Sequence, residues 1–344
     1  MAAPATGRGA APRDISRRLT FKTAGVQDMS KRDVAGTVVL FGGGGFVGRA
    51  VAQALFARGD RVRIAQRAPR QAYAVRALGG LGYTQFVACD ITDPEAVSRA
   101  LQGASAAVNL VGLLKGDMKA AHITGARNVA QAAAGAGLAA LVHVSAIGAD
   151  PQADAVYART KGEGEAAVRA AFPAATIVRP SIIFGQDDQF TNRFARLVSA
   201  APVVPVIRGD AKFQPVSVAD IARAIALAVA DPARFGGETY ELAGPDTLTL
   251  AQIMAWIAGE AGRSPTFVRV PDALARPLAA LTGWAPGAPI TLDQFKMLLR
   301  DTVAAPDAKG FAAFGIHPAP MAALAPAWLM RYRRNGRFAR TAHA

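Results

Sequence analysis

Cysteine is almost absent from this 344-residue chain: Cys89 stands alone, which excludes an internal disulfide framework and points to a reducing compartment. Histidine is scarce as well. His122, His143, His317 and His343 are too scattered to suggest a metal site, and no metal is expected. No window offers the roughly 20 uninterrupted apolar residues of a membrane helix, and no secretory apolar stretch opens the chain, which suggests a soluble or peripheral protein. Acidic residues are also few, 25 against 39 Lys and Arg, for a net charge of +14. The excess is concentrated at the ends. Residues 1–33 carry seven Lys/Arg and three Asp, and residues 331–344 carry five Arg and no acid, so +4 and +5 of the total sit there. The body is only mildly basic, and without a zinc-finger, RRM or KH signature no nucleic-acid partner is indicated. The ends read as basic arms, 1–35 and 331–344, suited to an acidic protein surface or anionic lipid headgroups. The first arm, Arg-rich and poor in acids, also resembles an organelle transit peptide. Arms of this composition lack an apolar core and are expected to order only on a partner.

What the sequence does contain is 51% hydrophobic residues, arranged in short alternating segments. Strands are predicted at residues 37–42, 61–66, 84–88, 106–111, 140–145 and 176–184, with helical segments between them. This rhythm predicts an α/β fold with a doubly wound parallel sheet, helices on both faces, and strand C-termini gathered along one edge. Beyond residue 185 the rhythm loosens into proline-punctuated loops and helices. The expected organisation is a nucleotide-binding domain over 36–185, to which 212–244 return, and a smaller, discontinuous domain from 186–211 and 245–330. No internal repeat is found.

The stretch "VVLFGGGGFVGRA" places Gly42, Gly45 and Gly48 three apart between a strand and a helix. The first glycine permits a tight turn, the second lets the backbone approach a pyrophosphate, and the third packs helix on strand. Gly44 lies inside the same loop. The amides of Gly45, Phe46 and Val47 are expected to face the phosphates from a helix N-terminus. This is the fingerprint of a Rossmann-type dinucleotide site. The second strand ends in Gln66 and Arg67, with Arg70 close behind, where an NAD site usually places an acid. A guanidinium grips a 2′-phosphate that a carboxylate would repel, so the sequence favours NADP(H). Further along the sheet edge, Asp90 is placed to accept from the adenine amine and Ile91 to pack its ring. Leu110, Val111 and Gly112, after Asn109, follow the fourth strand beside the cofactor.

Ser145 ends the fifth strand, and "YARTK" follows twelve residues later with Tyr157 and Lys161 four apart on one helix face. An ammonium there can lower the phenol pKa and bond a nicotinamide ribose, and Ser145 can polarise the same carbonyl oxygen. No G-x-S-x-G elbow surrounds Ser145, which removes a hydrolase reading. Trp284 and Trp328, beside prolines and arginines, are packing residues or sit at a lipid headgroup boundary.

With these residues in place, the chain resembles an extended or atypical member of the short-chain dehydrogenase/reductase superfamily over roughly 37–244. A narrower resemblance rests on "FPAATIVRPSIIFGQDDQFTNRFAR", "QPVSVADIARAI" and "PITLDQFKMLLRDTV", which are similar to the dehydrogenase-like accessory subunit of respiratory complex I. Pro180 and Ile183 of the first run complete the expected cofactor contacts. The resemblance implies a tightly held NADPH, attachment to other complex I subunits of the peripheral arm near the quinone-reducing region, and no turnover. Tyr157, Lys161 and Ser145 would then be a vestigial catalytic set that serves the cofactor. The Ala-rich composition suggests a bacterial version on the cytoplasmic face of the inner membrane, or the matrix side in a eukaryote. The alternative is an active NADPH-dependent reductase or epimerase on a small carbonyl or nucleotide-sugar substrate.

Overall fold

The first strand, β1 (Thr37–Phe41), reads TVVLF and is buried on both faces, as a central parallel strand requires. A computed structural model describes residues 36–282 and 290–334 together with Ala2, so the N-terminal arm beyond Ala2, Trp284 and residues 335–344 lie outside the described residues. From β1 the chain enters α1 (Phe46–Arg58), β2 (Arg61–Gln66), a 3₁₀ segment over Pro69–Leu78, and β3 (Thr84–Ala88). It continues through α2 (Pro94–Leu101), β4 (Ala104–Asn109), a π-helical turn (Ala120–Gly125) running into α3 (Ala126–Gly135), and β5 (Ala140–Val144). Then come α4 (Val156–Ala171), β6 (Thr176–Pro180) and the two-residue β7 (Ile183–Phe184).

The remainder begins with α5 (Thr191–Ala200), β8 (Val203–Ile207), β9 (Lys212–Phe213), β10 (Val216–Ser217) and α6 (Val218–Ala230). After α7 (Pro232–Phe235), β11 (Thr239–Leu242) and β12 (Leu248–Thr249) lie α8 (Leu250–Glu260), β13 (Thr266–Val270), α9 (Asp272–Thr282) and α10 (Leu292–Met297).

Seven parallel strands form the main sheet in the order β11-β6-β5-β4-β1-β2-β3. The order reverses between β1 and β4. That reversal opens a crevice outside the strand C-termini, the place where doubly wound sheets bind ligands. Alternate residues of β1 feed two cores: Val38 and Leu40 pack with α1 and α6, and Val39 and Phe41 with α2 and α3. A third core is built from α5, α8, β8 and the C-terminal segment around Met321, Ala325 and Leu329.

The strand expected over 176–184 is interrupted. Pro180 has no amide to extend the ladder, Ser181 N–H turns to Leu242 O at 3.0 Å, and β7 pairs instead with β10. The start of the expected arm at 331–344 is anchored to the body. Tyr332 Oη donates to Asn192 Oδ1 at 3.0 Å, Arg331 donates to Asn192 Oδ1 and to Gln186 O, and Arg333 Nε donates to Glu260 O at 2.8 Å. Those guanidinium forks and one aromatic ring tie residues 331–333 to the body, where partner-free ordering was not expected.

Candidate nucleotide site and the residues behind it

Gly42 adopts φ +78°, a left-handed turn that a side chain would strain, and its amide donates to Ala65 O at 3.0 Å. Gly48 is required for contact: a Cβ there would lie 2.5 Å from the Cα and the carbonyl oxygen of Gly43. Gly45 is different. A Cβ on it would approach only Gly42 O, at 3.2 Å, so this side of the loop is open. Gly45 is also the N-cap of α1 and supplies no side-chain acceptor. The amides of Phe46, Val47 and Gly48 accordingly have no acceptor among the described residues, and they carry the positive end of the helix dipole.

Two details depart from expectation. Gly45 N–H, expected to face phosphate, donates to Gly42 O at 3.0 Å because the tight turn closes on itself. Gln66 is engaged inside the protein: its Oε1 accepts from Gly44 N–H at 3.0 Å and its Nε2 donates to Ala68 O at 2.7 Å. The side chain thus ties the glycine loop to the end of β2, and nothing in the local sequence marks that bond. Arg67, in contrast, is exposed and makes no ion pair or hydrogen bond among the described residues. Asp90 is held below the usual carboxylate range, first by hydrogen bonds from Thr92 and, more weakly, by the Arg67 charge. Its Oδ1 accepts from both Thr92 N–H and Thr92 Oγ1. Ile91 is buried beside the π-helical turn, where a Cβ at Gly125 would strike it at 2.4 Å. Leu110 N–H donates to Phe41 O at 3.0 Å, and the Val111 side chain lies 3.3 Å from where a Gly42 Cβ would stand.

At the far end of the crevice the structure gathers a buried polar cluster whose members are distant in sequence. Lys161 is 4% exposed, and its Nζ donates to Val144 O at 3.0 Å, close to Gly112. Burial pushes its pKa down to about 8, against a weaker upward pull from Glu165. His122 accepts from Leu113 N–H on Nε2 at 2.9 Å, which leaves the ring proton on Nδ1 facing Thr160 Oγ1 at 2.9 Å. Asn109 Nδ2 donates to His143 Nδ1 at 3.2 Å, which places that ring's proton on Nε2. Burial, aided by the Lys161 charge, drives both imidazoles down to about 3, so both are neutral near pH 7. His143 Nε2 and Ser145 Oγ are buried and have no partner. Among the described residues no group of three or more His, Cys, Asp or Glu could hold a metal.

Tyr157 is not the activated phenol that its spacing from Lys161 predicts. Burial raises it to about 12, with no contribution from Lys161, whose ammonium is directed to the Val144 carbonyl. The Tyr157 helix is positioned by a residue that the sequence reading missed. The N-cap of α4 is Ala155, which has no side-chain acceptor, and Asp293 of α10 supplies one: Oδ1 accepts from Val156 N–H at 2.5 Å and Oδ2 from Tyr157 N–H at 3.1 Å. Downstream, Glu165 receives a bidentate bond from Arg179 of β6, at 2.9 and 2.7 Å, which locks α4 onto the sheet. Ile147 N–H donates to Pro180 O at 3.0 Å, and Ile183 pairs with Val216, so both expected residues lie beside the strand ends. Trp328 packs in the third core and stacks on Phe184, with centroids 6.3 Å apart. Its partly buried ring packs against that core.

The unsatisfied amides of α1, the open side of Gly45, the unpaired guanidinium of Arg67 and the orphaned Ser145 hydroxyl are together a fit for a dinucleotide, and family comparison agrees on the fold. Residues 35–286 match the model of the NmrA-like family. The chain belongs to the NmrA-like family. Among curated relatives, "NADH dehydrogenase [ubiquinone] 1 alpha subcomplex subunit 9, mitochondrial" of Rattus norvegicus is 32% identical over 88% of this chain and 82% of its own length. The "NADH-ubiquinone oxidoreductase 40 kDa subunit, mitochondrial" of Neurospora crassa is 30% identical over 87% of this chain and 80% of its own. Among solved structures, the triphenylmethane reductase of Citrobacter sp. superposes with a TM-score of 0.69, covering 86% of this chain and 99% of that one at 17% identity. Other structures of this fold hold NAD or NADP. The NmrA-like chain thus shares the Rossmann-type fold of these structures, and no helix among its described residues is long and apolar enough to cross a membrane.

Proposed function

We propose that this NmrA-like protein is an accessory subunit of respiratory complex I that binds NADPH as a structural ligand. The observation that carries the reading is the 32% identity to a complex I subunit along 88% of the chain, rather than over the nucleotide domain alone. The nucleotide would lie across the crevice, with its pyrophosphate at the amides of Phe46 and Val47 and its 2′-phosphate at Arg67. Asp90 and Ile91 would flank the adenine, and Leu110, Val111 and Gly112 the middle of the molecule. Ser145, Tyr157 and Lys161 would meet the nicotinamide ribose, with Pro180 and Ile183 beside the ring. NADPH supplies a hydride when it is turned over. Two features favour retention without turnover: the Tyr157 phenol is raised to about 12, and the Lys161 ammonium is bonded to a carbonyl. A ligand that binds only the folded state stabilises that state by mass action, which is use enough for a cofactor.

In this reading the body attaches peripherally to other complex I subunits near the quinone-reducing region, on the cytoplasmic face of a bacterial inner membrane, with the basic ends on acidic protein or anionic lipid. Native electrophoresis of mildly solubilised membranes should find the chain co-migrating with complex I, and denaturation of purified protein should release NADP(H) in preference to NAD(H). Migration on its own, or release of NAD(H) alone, would overturn the reading. A reductase reading retains one specific support, the cavity beside Tyr157.

A further inference from the structure

That cavity, about 660 Å³, opens between the loop after β5 and the α9–α10 region, within the size range of small-ligand pockets. One wall includes Ala146, Ile147 and Ala155; the facing wall includes Leu292, Phe295 and Leu299. Phe295 is buried at 4%, but Leu292 and Leu299 are 36% and 50% exposed, so the apolar lining continues to the surface as an uncovered rim. Tyr157 also lines the cavity.

The lining is also charged, and the charge is unevenly neutralised. Arg276, Lys296 and Arg300 line the cavity, as do Asp154, Asp272 and Asp301. Asp272 pairs with Arg208 at 3.0 Å, Asp301 accepts from Lys212 N–H at 2.8 Å, and Arg300 pairs with Asp150 at 3.5 Å. Arg276 has no ion pair or hydrogen bond among the described residues, and Lys296 has only a long bond, 3.4 Å, to the Asp154 carbonyl. Asp154 is therefore the one uncommitted carboxylate against two uncommitted cations. The uncharged polar side chains of the described lining are Tyr157 and Thr302.

We propose that this cavity binds an anionic amphiphile, a single-chain phospholipid in which the acyl chain lies along the alanine and leucine walls and the phosphate meets Arg276 and Lys296. An apolar chain covers the exposed Leu292 and Leu299, and a phosphate head satisfies a guanidinium that otherwise has no partner. A nucleotide sugar satisfies the cations but leaves the apolar walls and the exposed Leu292 and Leu299 uncovered.

The test is calorimetric titration of the full-length protein with lauroyl-lysophosphatidylglycerol below its micellar concentration. Lauroyl-lysophosphatidylcholine, glycerol 3-phosphate and UDP-glucose are titrated in parallel. Saturable binding of the phosphatidylglycerol form is expected, at least tenfold tighter than the phosphatidylcholine form, with no binding of the two chainless compounds. The double variant Arg276→Glu/Lys296→Glu, which breaks no ion pair among the described residues, should abolish that preference, with far-UV circular dichroism confirming that it folds. Binding of UDP-glucose, equal affinity for the two lysolipids, no saturable binding, or an unchanged preference in the double variant would each overturn the proposal. None of these outcomes bears on co-migration with complex I, so the two readings fail separately.

Discussion

Raising the pH should stabilise the nucleotide-free protein through Lys161. The ammonium is 4% exposed and has one hydrogen-bond acceptor, and burial brings its pKa from 10.5 to about 8. Below pH 8 both folded and unfolded states hold the proton, and the full cost of burying the charge is present. Between pH 8 and 10.5 the unfolded chain binds a proton that the folded chain has released, so stability rises with pH across that window. At about 1.36 kcal/mol per pH unit, the whole window is worth about 3 kcal/mol. Cys89, raised from 9.0 to about 11, and Tyr157, raised from 10.0 to about 12, act in the opposite direction. Each holds a proton in the folded chain that the unfolded chain releases at lower pH, so each lowers stability as alkali is added.

A single pH profile would mix these effects, but a comparison with Lys161→Met separates them, because Cys89 and Tyr157 are common to both proteins. Urea unfolding followed by far-UV circular dichroism, on protein stripped of nucleotide, should show wild type gaining about 2–3 kcal/mol on the variant between pH 7.5 and 10. A flat difference would refute the reasoning, since it would mean that Lys161 titrates as a solvated lysine does. The sign also bears on function. A buried ammonium with one acceptor destabilises the empty fold, and a ribose hydroxyl is the kind of second acceptor that would relieve it.

In acid the two buried imidazoles should dominate: His122 and His143, at about 3 instead of 6.5, must be protonated to unfold, so stability should fall from pH 6.5 toward 3. A melting temperature independent of pH between 6.5 and 4 would exclude this. Gly48→Ala, with its Cβ 2.5 Å from the Gly43 backbone, should be severely destabilised, whereas Gly45→Ala should fold nearly as well as wild type and lose nucleotide, read by melting temperature and by nucleotide released on denaturation. Asp293→Ala should cost about 1–2 kcal/mol in urea unfolding, the loss of an N-cap, with Asp293→Asn recovering part of it. Arg67→Asp should reduce retained NADP(H) more than tenfold without moving the melting temperature of nucleotide-free protein. The triple variant Arg331→Ala/Tyr332→Ala/Arg333→Ala should lower stability by about 1–3 kcal/mol in urea unfolding, because Arg331, Tyr332 and Arg333 are anchored to the body.

Much of the fold was legible because its signals are local. A parallel sheet writes each strand as a short apolar run, and β2 and β3 appear at the expected residues, with β1 and β5 one residue shorter. The glycine loop was legible for a similar reason: Gly42, Gly45 and Gly48 are spaced by the geometry of one turn and one helix start. What escaped the sequence is tertiary. Asp293 caps α4 from 136 residues away, and a carboxylate in an ordinary stretch of helix N-terminal sequence carries no sign of which helix it will serve. Gln66 looks like a ribose contact by position, yet its amide closes the glycine loop, a choice made by the 3.0 Å reach to Gly44 that only the folded backbone sets.

The same distinction explains why the spacing of Tyr157 and Lys161 did not show which way the phenol shifts. An i, i+4 spacing fixes which helix face two side chains share, but their pKa values depend on what that face is pressed against. Here it is pressed against β5 and the π-helical turn, where His122 meets Tyr157 edge-on with centroids 5.6 Å apart and the Val144 carbonyl takes the lysine. Burial then raises the phenol and lowers the ammonium, so near pH 7 the phenol stays protonated as a weaker acid while the lysine keeps its charge but directs it to a carbonyl. The fold therefore sets these polar atoms through contacts that the i, i+4 spacing does not encode: the Val144 carbonyl for Lys161 and the His122 ring for Tyr157.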